Sequence, residues 1–223
     1  MTAGFRILPA PRRPPAALVA ALGEMATAHL SDNMSRLQGA AAALRPMHRA
    51  GKLAGVALTV RVAPGDNLMV HKAIDIAEPG DVIVVDAGGA LDRAIIGDIM
   101  ASHAARRGLA GLVIDGAIRD ADALRARDFP VYARGVTHRG PYKNGPGEIN
   151  VPVSIGGMVV GPGDIVVGDG DGVIAVPLAD AQAVLAAARE QKRKEEATLA
   201  AIAAGTLDRS WVDEALRARG CEG

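Results

Sequence analysis

Apolar positions follow two alternating spacings through the middle of the chain, and this pattern predicts strands and helices in turn. Short runs of apolar and β-branched residues indicate strands at about 53–62, 81–87, 110–115 and 131–135. Between them, helical spacing predicts a helix capped by Asp66 and continuing through about Ala77, a second from Asp98 to Arg107, and a short third one beginning near Asp120. Such alternation is typical of an α/β domain whose sheet faces are covered.

The pattern changes after Val151, where several short strands with Gly-rich turns follow one another as far as Val176. These strands predict a β-meander or a small barrel-like layer, and therefore a compact mixture rather than a simple doubly wound sheet. The segment GDGDG (168–172) precedes a strand rather than a helix, which favours a turn over a phosphate-binding loop.

The two ends of the chain are predicted to be helical. Four prolines interrupt residues 1–15, which we interpret as an arm, and a single helix is predicted over about 15–30. After Pro177, a long helix is predicted over about 178–204, followed by a short helix that ends near Arg219. We divide the chain into three segments of one unit: an arm and helix (1–30), a central α/β part with the candidate chemistry (31–177) and C-terminal helices (178–223).

Composition excludes several classes of partner. Lys plus Arg and Asp plus Glu number 25 each, and the aromatic residues are one Trp, two Tyr and two Phe, so neither the charge nor the stacking surface of a nucleic-acid-binding protein is present. The only cysteine, Cys221, permits neither an internal disulfide nor a cysteine-based metal site. The sequence has no apolar run long enough for a signal peptide or a membrane span, so we expect a cytoplasmic protein that binds neither nucleic acid nor membrane.

The segment GDIMA, which begins at Gly97, is the first candidate for chemistry. Gly97 permits close approach of the backbone, Asp98 begins a helix, and the amides of Ile99, Met100 and Ala101 have no acceptor within that helix. Such a helix end favours a bound carboxylate or phosphate. A plain helix cap would have the same sequence, so this segment alone does not define a site.

The segment IDGAIRDADAL (114–124) follows a predicted strand, and ligands collect at the carboxyl ends of strands in parallel α/β sheets. Arg119 and Asp120 are adjacent there, with Asp115 nearby. Asp120 could instead cap the next helix while Arg119 pairs with an acid. The combination of the two segments is more specific than either one alone. Asp98 is followed by twenty residues and then by Arg119-Asp120. If the helix start and the loop after the strand reach one edge of the sheet, a helix end, a guanidinium and two carboxylates would converge there.

Four segments in this order resemble the class II pyruvate aldolases of the 4-hydroxy-4-methyl-2-oxoglutarate type, and the wider family named for regulators of ribonuclease activity A. The segments, within a match from about Asp32 to Pro177, are DNLMVHKAIDIAEPGDVIVVD (66–86), GDIMA (97–101), GLVIDGAIRD (111–120) and VVGPGDIVVGDGDGVIAVP (159–177). The resemblance implies a swivelling-domain-like α/β/β sandwich with flanking N- and C-terminal helices. It also implies a homo-oligomer, a trimer or a hexamer, with an active site between subunits that holds Mg²⁺ or Mn²⁺.

The resemblance assigns roles to individual residues. Asp120 resembles the carboxylate that anchors the metal, partly through metal-bound waters, and Arg119 resembles the residue that holds the 2-oxo and carboxylate oxygens of the substrate. Asp98 resembles the carboxylate that orients a metal-bound water. The amides of residues 99–101 would receive the pyruvyl carboxylate.

Three further features have two interpretations each. The charged segment REQKRKEE (189–196) is either a solvated helix face or a surface that meets a neighbouring subunit, and the family places an acid from a neighbouring subunit near the metal, for which Glu195 or Glu196 is a candidate. His71 either lines the edge of the cleft or is a surface histidine. The loop 138–150 either binds the distal end of a substrate or is a plain surface loop; its polar residues are Tyr142, Lys143, Asn144 and Glu148.

Carbon–carbon cleavage next to a 2-oxo acid suits these residues. It leaves an enolate, and a divalent cation and an arginine both stabilise negative charge on the keto oxygen. Oxygen ligands suit Mg²⁺ or Mn²⁺. We predict retro-aldol cleavage of a 4-hydroxy-2-oxo acid to pyruvate, with oxaloacetate decarboxylation as a companion activity. Two alternatives stay open: a non-catalytic regulator of a ribonuclease, and a Schiff-base aldolase that uses Lys72 or Lys143.

Overall fold

A mixed sheet of ten strands forms the centre of the chain, and a two-stranded sheet lies beside it. The computed structural model describes residues 2–221. Within these residues the strands are β1 (Phe5–Ile7), β2 (Arg45–Pro46), β3 (Leu53–Val62), β4 (Asp81–Asp86), β5 (Ala94–Ile96), β6 (Gly111–Ile118), β7 (Val131–Val136), β8 (Gly147–Ile149), β9 (Val153–Ile155), β10 (Met158–Val160), β11 (Ile165–Gly168) and β12 (Val173–Val176). The helices are α1 (Ala16–Gly23), α2 (Thr27–Asp32), α3 (Leu68–Ile76), α4 (Asp98–Arg106), α5 (Ala121–Arg125), α6 (Ala181–Ala203) and α7 (Ser210–Ala218).

Four parallel strands, in the order β3-β4-β6-β7, form the middle of the large sheet. All eight residues of β6 are buried, as are five of the six residues of β4. Strands covered on both faces need apolar side chains in succession rather than in alternation. This is why the sequence of these strands consists of continuous apolar runs, and why the helices between them could be predicted from the change of period.

Helices α3 and α4 cover one face of this sheet and pack on residues such as Ile83 and Ile114. The opposite face carries a second β layer, in which Val153 and Met158 of β9 and β10 pack on Val113. Helices α1, α2 and α6 pack against the β11–β12 hairpin, which extends the large sheet beside β3 and whose turn is the predicted GDGDG segment. The predicted α/β/β fold with flanking N- and C-terminal helices is confirmed.

The N-terminal helical region differs from the prediction, because two helices replace the single one expected over 15–30. A Cβ atom at Gly23, where α1 ends, would lie 2.6 Å from Cβ of Ala54, so glycine allows the helix end to pack closely on β3. The second helix is capped from a distance: the carboxylate of Asp169 accepts hydrogen bonds from the amide and the hydroxyl of Thr27, at 2.9 and 2.8 Å. No local pattern could have predicted a cap supplied by the β11–β12 turn.

Four strands of two or three residues, β1, β2, β5 and β8, are absent from the sequence prediction. Strands this short show no clear periodicity in the sequence. β2, β5 and β8 each pair with a longer strand, and β1 pairs with β8. β5 matters most for function, because it pairs with β6 and ends at Ile96, directly before Gly97.

The buried side chains of helix α6 all lie in its first half. Its buried residues end at Ala188, and residues 193–200 are all exposed. Glu190 forms ion pairs with Arg193 and Lys194 on this charged stretch. None of the helices in the range 2–221 is both long and apolar enough to cross a membrane.

Candidate active site

Two turns meet at the carboxyl ends of β5 and β6. Gly97 follows β5 and leads into α4, whereas Arg119 and Asp120 follow β6 and lead into α5. The amide of Arg119 donates to the carbonyl of Ile96 at 3.0 Å, and Oδ2 of Asp120 accepts a hydrogen bond from the amide of Asp98 at 2.9 Å. The spacing observed in the sequence therefore brings the first turn of α4 beside the Arg-Asp pair.

Position 97 requires glycine because there is no space for a side chain, and not because of its backbone conformation. Its φ of −147° is open to any residue. A Cβ atom there would overlap Oδ2 of Asp120 and lie 2.9 Å from Cγ of Arg119. Any side chain at this position would therefore displace both members of the pair.

Asp120 has a left-handed backbone, with φ of 60° and ψ of 38°. This conformation costs roughly 1–2 kcal/mol in a residue with a side chain, although aspartate adopts it more readily than most. Residues held in this way are concentrated at functional sites, where the surrounding contacts fix them. Here the hydrogen bond to the Asp98 amide fixes the Asp120 carboxylate against the start of α4.

The Arg-Asp pair lines a cavity of about 100 Å³ at this edge of the sheet. The walls come from α3, the β5–α4 turn, the β6–α5 turn and the loop after β7. The lining residues are Asn67, His71, Ile96, Gly97, Ile99, Met100, Arg119, Asp120, Pro141 and Lys143. Seven predicted site residues thus meet in one cavity: Gly97, Ile99, Met100, Arg119, Asp120, His71 and Lys143.

The start of α4 presents two free amides to this cavity rather than three. Among the described residues, the amides of Ile99 and Met100 have no hydrogen-bond acceptor, as predicted for the first turn of a helix. Ala101 differs, because its amide donates to the carbonyl of Gly97 at 3.1 Å. The prediction of a free amide at Ala101 is therefore wrong, since the carbonyl of the residue before the helix already accepts the first helical hydrogen bond.

Asp98 begins α4 but does not line the cavity of its own chain. Its Oδ1 atom lies 2.6 Å from Nη2 of Arg127, without the angle of a hydrogen bond, so the contact is an ion pair. The Asp98 side chain is about one-third exposed, at 34%. A role for Asp98 in proton transfer therefore requires this ion pair to open or a water molecule to reach the carboxylate.

Asp115 is a structural residue and not part of the cavity. Its carboxylate is buried, accepts a hydrogen bond from the amide of Gly156 at 2.8 Å and forms an ion pair with Arg134. The hydrogen bond to Asp115 raises the pKa of Arg134. The inclusion of Asp115 among candidate site residues is wrong, because its side chain connects β6 and β7 to the second β layer.

The two acids predicted to reach a neighbouring subunit lie on α6, away from the cavity of their own chain. Glu195 accepts hydrogen bonds from Gln191 at 2.9 Å and pairs with Nε2 of His29 at 2.6 Å. The hydrogen bond from His29 lowers the pKa of Glu195. Glu196 is exposed. Within one chain, Glu195 thus connects α6 to α2.

Asn67, which the sequence analysis did not select, is the most buried polar side chain of the cavity, with 2% exposure. Its Nδ2 atom donates to the carbonyl of Ile95 at 2.8 Å, and among the described residues Oδ1 has no hydrogen-bond partner. An asparagine directly before a predicted helix was the available signal, but helix capping would have explained it equally well. Its burial beside Met100 could not be read from the sequence.

His71 is half-buried on α3 and lines the cavity with Lys143. Burial lowers the pKa of His71, and the positive charge of Lys143 lowers it further. The imidazole is therefore neutral near pH 7, and the positive charges on the cavity lining are those of Arg119 and Lys143.

The loop between β7 and β8 is fixed in place and is not a free surface loop. The buried carboxylate of Asp66 accepts hydrogen bonds from the amides of Asn144 and Gly145, at 2.6 and 3.1 Å, and from the amide of Leu68 at 2.9 Å. Arg93 supports the same loop from the other side, because its guanidinium lies 4.0 Å from the ring centroid of Tyr142. These contacts place Pro141 and Lys143 of the loop on the cavity wall.

Glu148 does not belong to the cavity, although it lies in the predicted loop. It is part of β8, and its buried carboxylate pairs with Arg6 at 2.8 Å and with Arg61 at 3.1 Å. The interpretation of the loop as a substrate-binding segment therefore does not extend to Glu148.

The described residues contain no group of three or more His, Cys, Asp or Glu side chains that could enclose a metal ion. The cavity does contain one half-exposed carboxylate, that of Asp120. Mg²⁺ is commonly bound by one or two carboxylates and several waters rather than by a complete set of protein ligands. The lining therefore fits a hydrated Mg²⁺ or Mn²⁺ ion on Asp120, and it does not fit a zinc cage.

Together, the fold and the site define an α/β/β protein in which a helix N-terminus and an Arg-Asp pair share one small cavity at the edge of the sheet. The family model described as "RraA-like: Aldolase/RraA" matches residues 27–175. The chain belongs to this RraA-like family.

Three relatives illustrate the range of this family. A Halalkalibacterium halodurans protein, provisionally named 4-hydroxy-4-methyl-2-oxoglutarate aldolase, is 44% identical over 176 residues, or 79% of this chain and 84% of the relative. The RNA-processing inhibitor RraA from Thermus thermophilis has a TM-score of 0.63 and 33% identity, covering 69% of this chain and 93% of that one. Streptomyces coelicolor RraAS2, named as an unusual member of the RNase ES inhibitor RraA family, has a TM-score of 0.74 and 30% identity. The match covers 83% of this chain and 96% of that one.

We expect Asp66→Asn to loosen the loop that carries Lys143. The side-chain NH₂ of asparagine, a donor, would replace an oxygen that now accepts from backbone N–H groups. An unsatisfied buried polar group costs about 1–3 kcal/mol. Hydrogen–deuterium exchange at Asn144 and Gly145 should become faster, and the melting temperature should fall. Asp75→Asn, which changes an exposed carboxylate on helix α3, is the matched control. Unchanged exchange at both amides in Asp66→Asn would show that the carboxylate does not hold the loop.

Proposed function

We propose that this chain is a divalent-metal-dependent lyase that cleaves a 4-hydroxy-2-oxo acid, such as 4-hydroxy-4-methyl-2-oxoglutarate, to pyruvate by a retro-aldol reaction. One observation carries the proposal: Arg119, Asp120 and the free amides of Ile99 and Met100 meet in one cavity. The provisional aldolase name of the relative with 44% identity supports the same chemistry.

In this reaction the bond between C3 and C4 breaks while the hydroxyl group on C4 loses its proton. C4 becomes the carbonyl carbon of the leaving product, and the electron pair of the broken bond forms an enolate with the keto oxygen. Protonation at C3 then gives pyruvate. The catalyst must therefore stabilise negative charge on the keto oxygen and accept one proton from the C4 hydroxyl.

The cavity provides groups for the first of these tasks. The planar guanidinium of Arg119 can donate to two oxygens of the 2-oxo acid group at once. The amides of Ile99 and Met100, at the positive end of α4, suit the substrate carboxylate. A divalent cation held by Asp120 would supply further positive charge for the developing enolate. Asp98, whose amide binds Asp120, is our candidate to accept the hydroxyl proton through a water molecule.

Oxaloacetate decarboxylation is proposed as a companion activity. Loss of the C4 carboxylate of oxaloacetate as CO₂ leaves the same pyruvate enolate. The groups that stabilise this enolate in the aldol cleavage would therefore serve here as well. No proton acceptor for a C4 hydroxyl is needed, and the step makes lower demands on Asp98.

A binding role like that named for the RraA relatives is the second candidate, because the fold of this chain matches theirs over most of its length. The left-handed Asp120 and the side-chain-free Gly97 favour the enzyme, since a pure binding protein has no need to maintain this strained arrangement. A Schiff-base mechanism is a poorer fit: Lys72 does not line the cavity, and Lys143 is exposed rather than held in an apolar pocket.

Removal of divalent metal is the first test. We expect EDTA to abolish pyruvate release from 4-hydroxy-2-oxo acids and from oxaloacetate, and added Mg²⁺ or Mn²⁺ to restore it. The reason is that the cation held by Asp120 would stabilise the negative charge of the enolate. Coupling to lactate dehydrogenase measures pyruvate. Turnover that survives the chelator, together with borohydride trapping of pyruvate on a lysine, would favour the Schiff-base alternative.

The second test concerns Arg119. Loss of one donor that stabilises charge in a transition state typically costs roughly 10²–10³ in rate, so Arg119→Ala should lower kcat by about that factor. Arg119→Lys should recover little, because lysine lacks the planar pair of donors. Arg125→Ala, which removes an exposed arginine from the neighbouring helix α5, is the matched control. Near-normal turnover in a folded Arg119→Ala variant would remove the main support for this site.

We also propose that the chain assembles as a trimer or hexamer with the cavity near a subunit boundary. The exposed second half of α6 and the large exposed side chains Leu199, Ile202 and Trp211 support an association surface at this end of the molecule. Size-exclusion chromatography with light scattering should give three or six copies. A monomer with full turnover would contradict the assembly and a neighbouring-subunit role for Glu195 or Glu196.

A further inference from the structure

The carboxylate of Asp98 has one charged partner, and that partner is not part of the cavity lining. Nη2 of Arg127 lies 2.6 Å from Oδ1 of Asp98, and no other cation of the range 2–221 lies within ion-pair distance of this carboxylate. We propose that Arg127 is a positioning residue, which holds the Asp98 carboxylate in the orientation that lets it accept the C4 hydroxyl proton through a water molecule. This inference rests on the proposed function, because Asp98 has such a proton to accept only if a 4-hydroxy-2-oxo acid is cleaved.

The two oxygens of the Asp98 carboxylate have different surroundings. Oδ1 faces Arg127 and is hidden from solvent. The side chain as a whole is 34% exposed, so its contact with solvent falls on the part that includes Oδ2. A carboxylate held by one oxygen can receive a proton on the other without losing its ion pair.

The backbone of Arg127 is fixed by contacts of its own. Its amide donates to the carbonyl of Leu124 at 3.1 Å, and its carbonyl accepts from the amide of Arg49 at 2.8 Å. The guanidinium of Arg49 also donates to both carboxylate oxygens of Asp128, the next residue, at 2.9 and 2.8 Å. Arg127 therefore extends to Asp98 from an anchored turn.

Arg127 and Asp120 lie on either side of the short helix α5, and both contact Asp98. Asp120 accepts a hydrogen bond from the Asp98 amide, whereas Arg127 pairs with the Asp98 side chain. The first contact fixes the backbone at the start of α4 but leaves the side-chain torsions of Asp98 free. Arg127 supplies the second contact, which selects one of the staggered rotamers that the side chain could otherwise adopt.

A purely structural ion pair between α4 and the turn after α5 is the competing interpretation. A partly exposed pair contributes little to stability, because water screens both charges. Loss of a structural contact would slow every reaction in the cavity alike, or none. Loss of a contact that orients Asp98 would slow only a reaction that removes a proton from a C4 hydroxyl, and this difference separates the two interpretations.

Two substrates with the same enolate product provide the comparison. Retro-aldol cleavage of 4-hydroxy-2-oxoglutarate breaks the C3–C4 bond, gives glyoxylate and the pyruvate enolate, and removes the C4 hydroxyl proton. The proton count balances, because C3 of the enolate gains a proton to form pyruvate. Decarboxylation of oxaloacetate gives the same enolate and CO₂, and it removes no hydroxyl proton.

Rates would be measured in single turnovers, with protein in excess over substrate and saturating Mg²⁺, so that product release does not mask the cleavage step. Pyruvate in quenched samples would be measured with lactate dehydrogenase, and a protein-free sample gives the background. The variants are Arg127→Gln, Arg127→Lys and the control Arg125→Gln, which removes an exposed arginine of α5 that pairs with Asp122 instead. Melting temperatures establish that each variant is folded.

We expect Arg127→Gln to slow cleavage of 4-hydroxy-2-oxoglutarate about ten-fold, which is part of the roughly 10²–10⁴ that a well-placed proton acceptor contributes. Oxaloacetate decarboxylation should keep its rate. Arg127→Lys should recover much of the lost rate, because the observed contact uses a single nitrogen, which an ammonium group can replace. Arg125→Gln should cleave both substrates at the rates of the unmodified protein.

A double-mutant cycle with Asp98→Asn tests whether Arg127 acts through Asp98. Arg127→Gln should slow the retro-aldol step in the unmodified protein and change nothing in the Asp98→Asn background. If oxaloacetate is not decarboxylated, this cycle decides the matter alone.

The outcomes distinguish this inference from the proposed function. Absence of pyruvate from both substrates with the unmodified protein would refute the lyase, and the role of Arg127 with it. Equal slowing of both reactions in Arg127→Gln, unchanged or faster retro-aldol cleavage, or the same loss in the Asp98→Asn background would each overturn the role of Arg127 and leave the lyase standing.

Discussion

The hydrogen bond from the Asp98 amide to Oδ2 of Asp120 joins the first turn of α4 to the carboxylate of the candidate site. It connects the N-terminus of α4 to the turn after β6, and it exists only because Asp120 adopts a left-handed backbone and Gly97 has no side chain. The N-terminus of α4, with the free amides of Ile99 and Met100, is consequently held close to Arg119. The capping interaction thus lies within one edge of the sheet and connects two turns that follow neighbouring strands.

Periodicity was sufficient to predict the parallel strands, because β3, β4, β6 and β7 are covered on both faces and their apolar runs are continuous. The spacing from Asp98 to Arg119 and Asp120 predicted the site, because both turns follow paired strands. The sequence could not separate Asp115 from Asp120, because Asp115 lies within the buried strand β6 and Asp120 lies just after it. Only the contacts of Asp115 with Gly156 and with Arg134 on the neighbouring strand reveal its structural role.

Contacts between distant segments account for what the sequence did not show. The Asp66 carboxylate fixes a loop 78 residues away, so the identity of Asp66 predicts a helix cap but not the position of Lys143. Asn67 becomes a cavity residue only through the carbonyl of Ile95 and the sulfur of Met100. In each case the fold brings a polar side chain to a partner distant in sequence, and the local sequence pattern does not identify that partner.

The N-terminal arm has a consequence for how the chain reaches its native state. β1 pairs in parallel with β8, and Arg6 pairs with Glu148 across a separation of 142 residues. During synthesis, this first strand must wait without a hydrogen-bonding partner until most of the chain has left the ribosome. Such long-range pairing slows folding, because the entropy of closing a large loop is lost before any contact compensates for it. The prolines of the arm lie after β1 and disfavour regular secondary structure between this strand and α1.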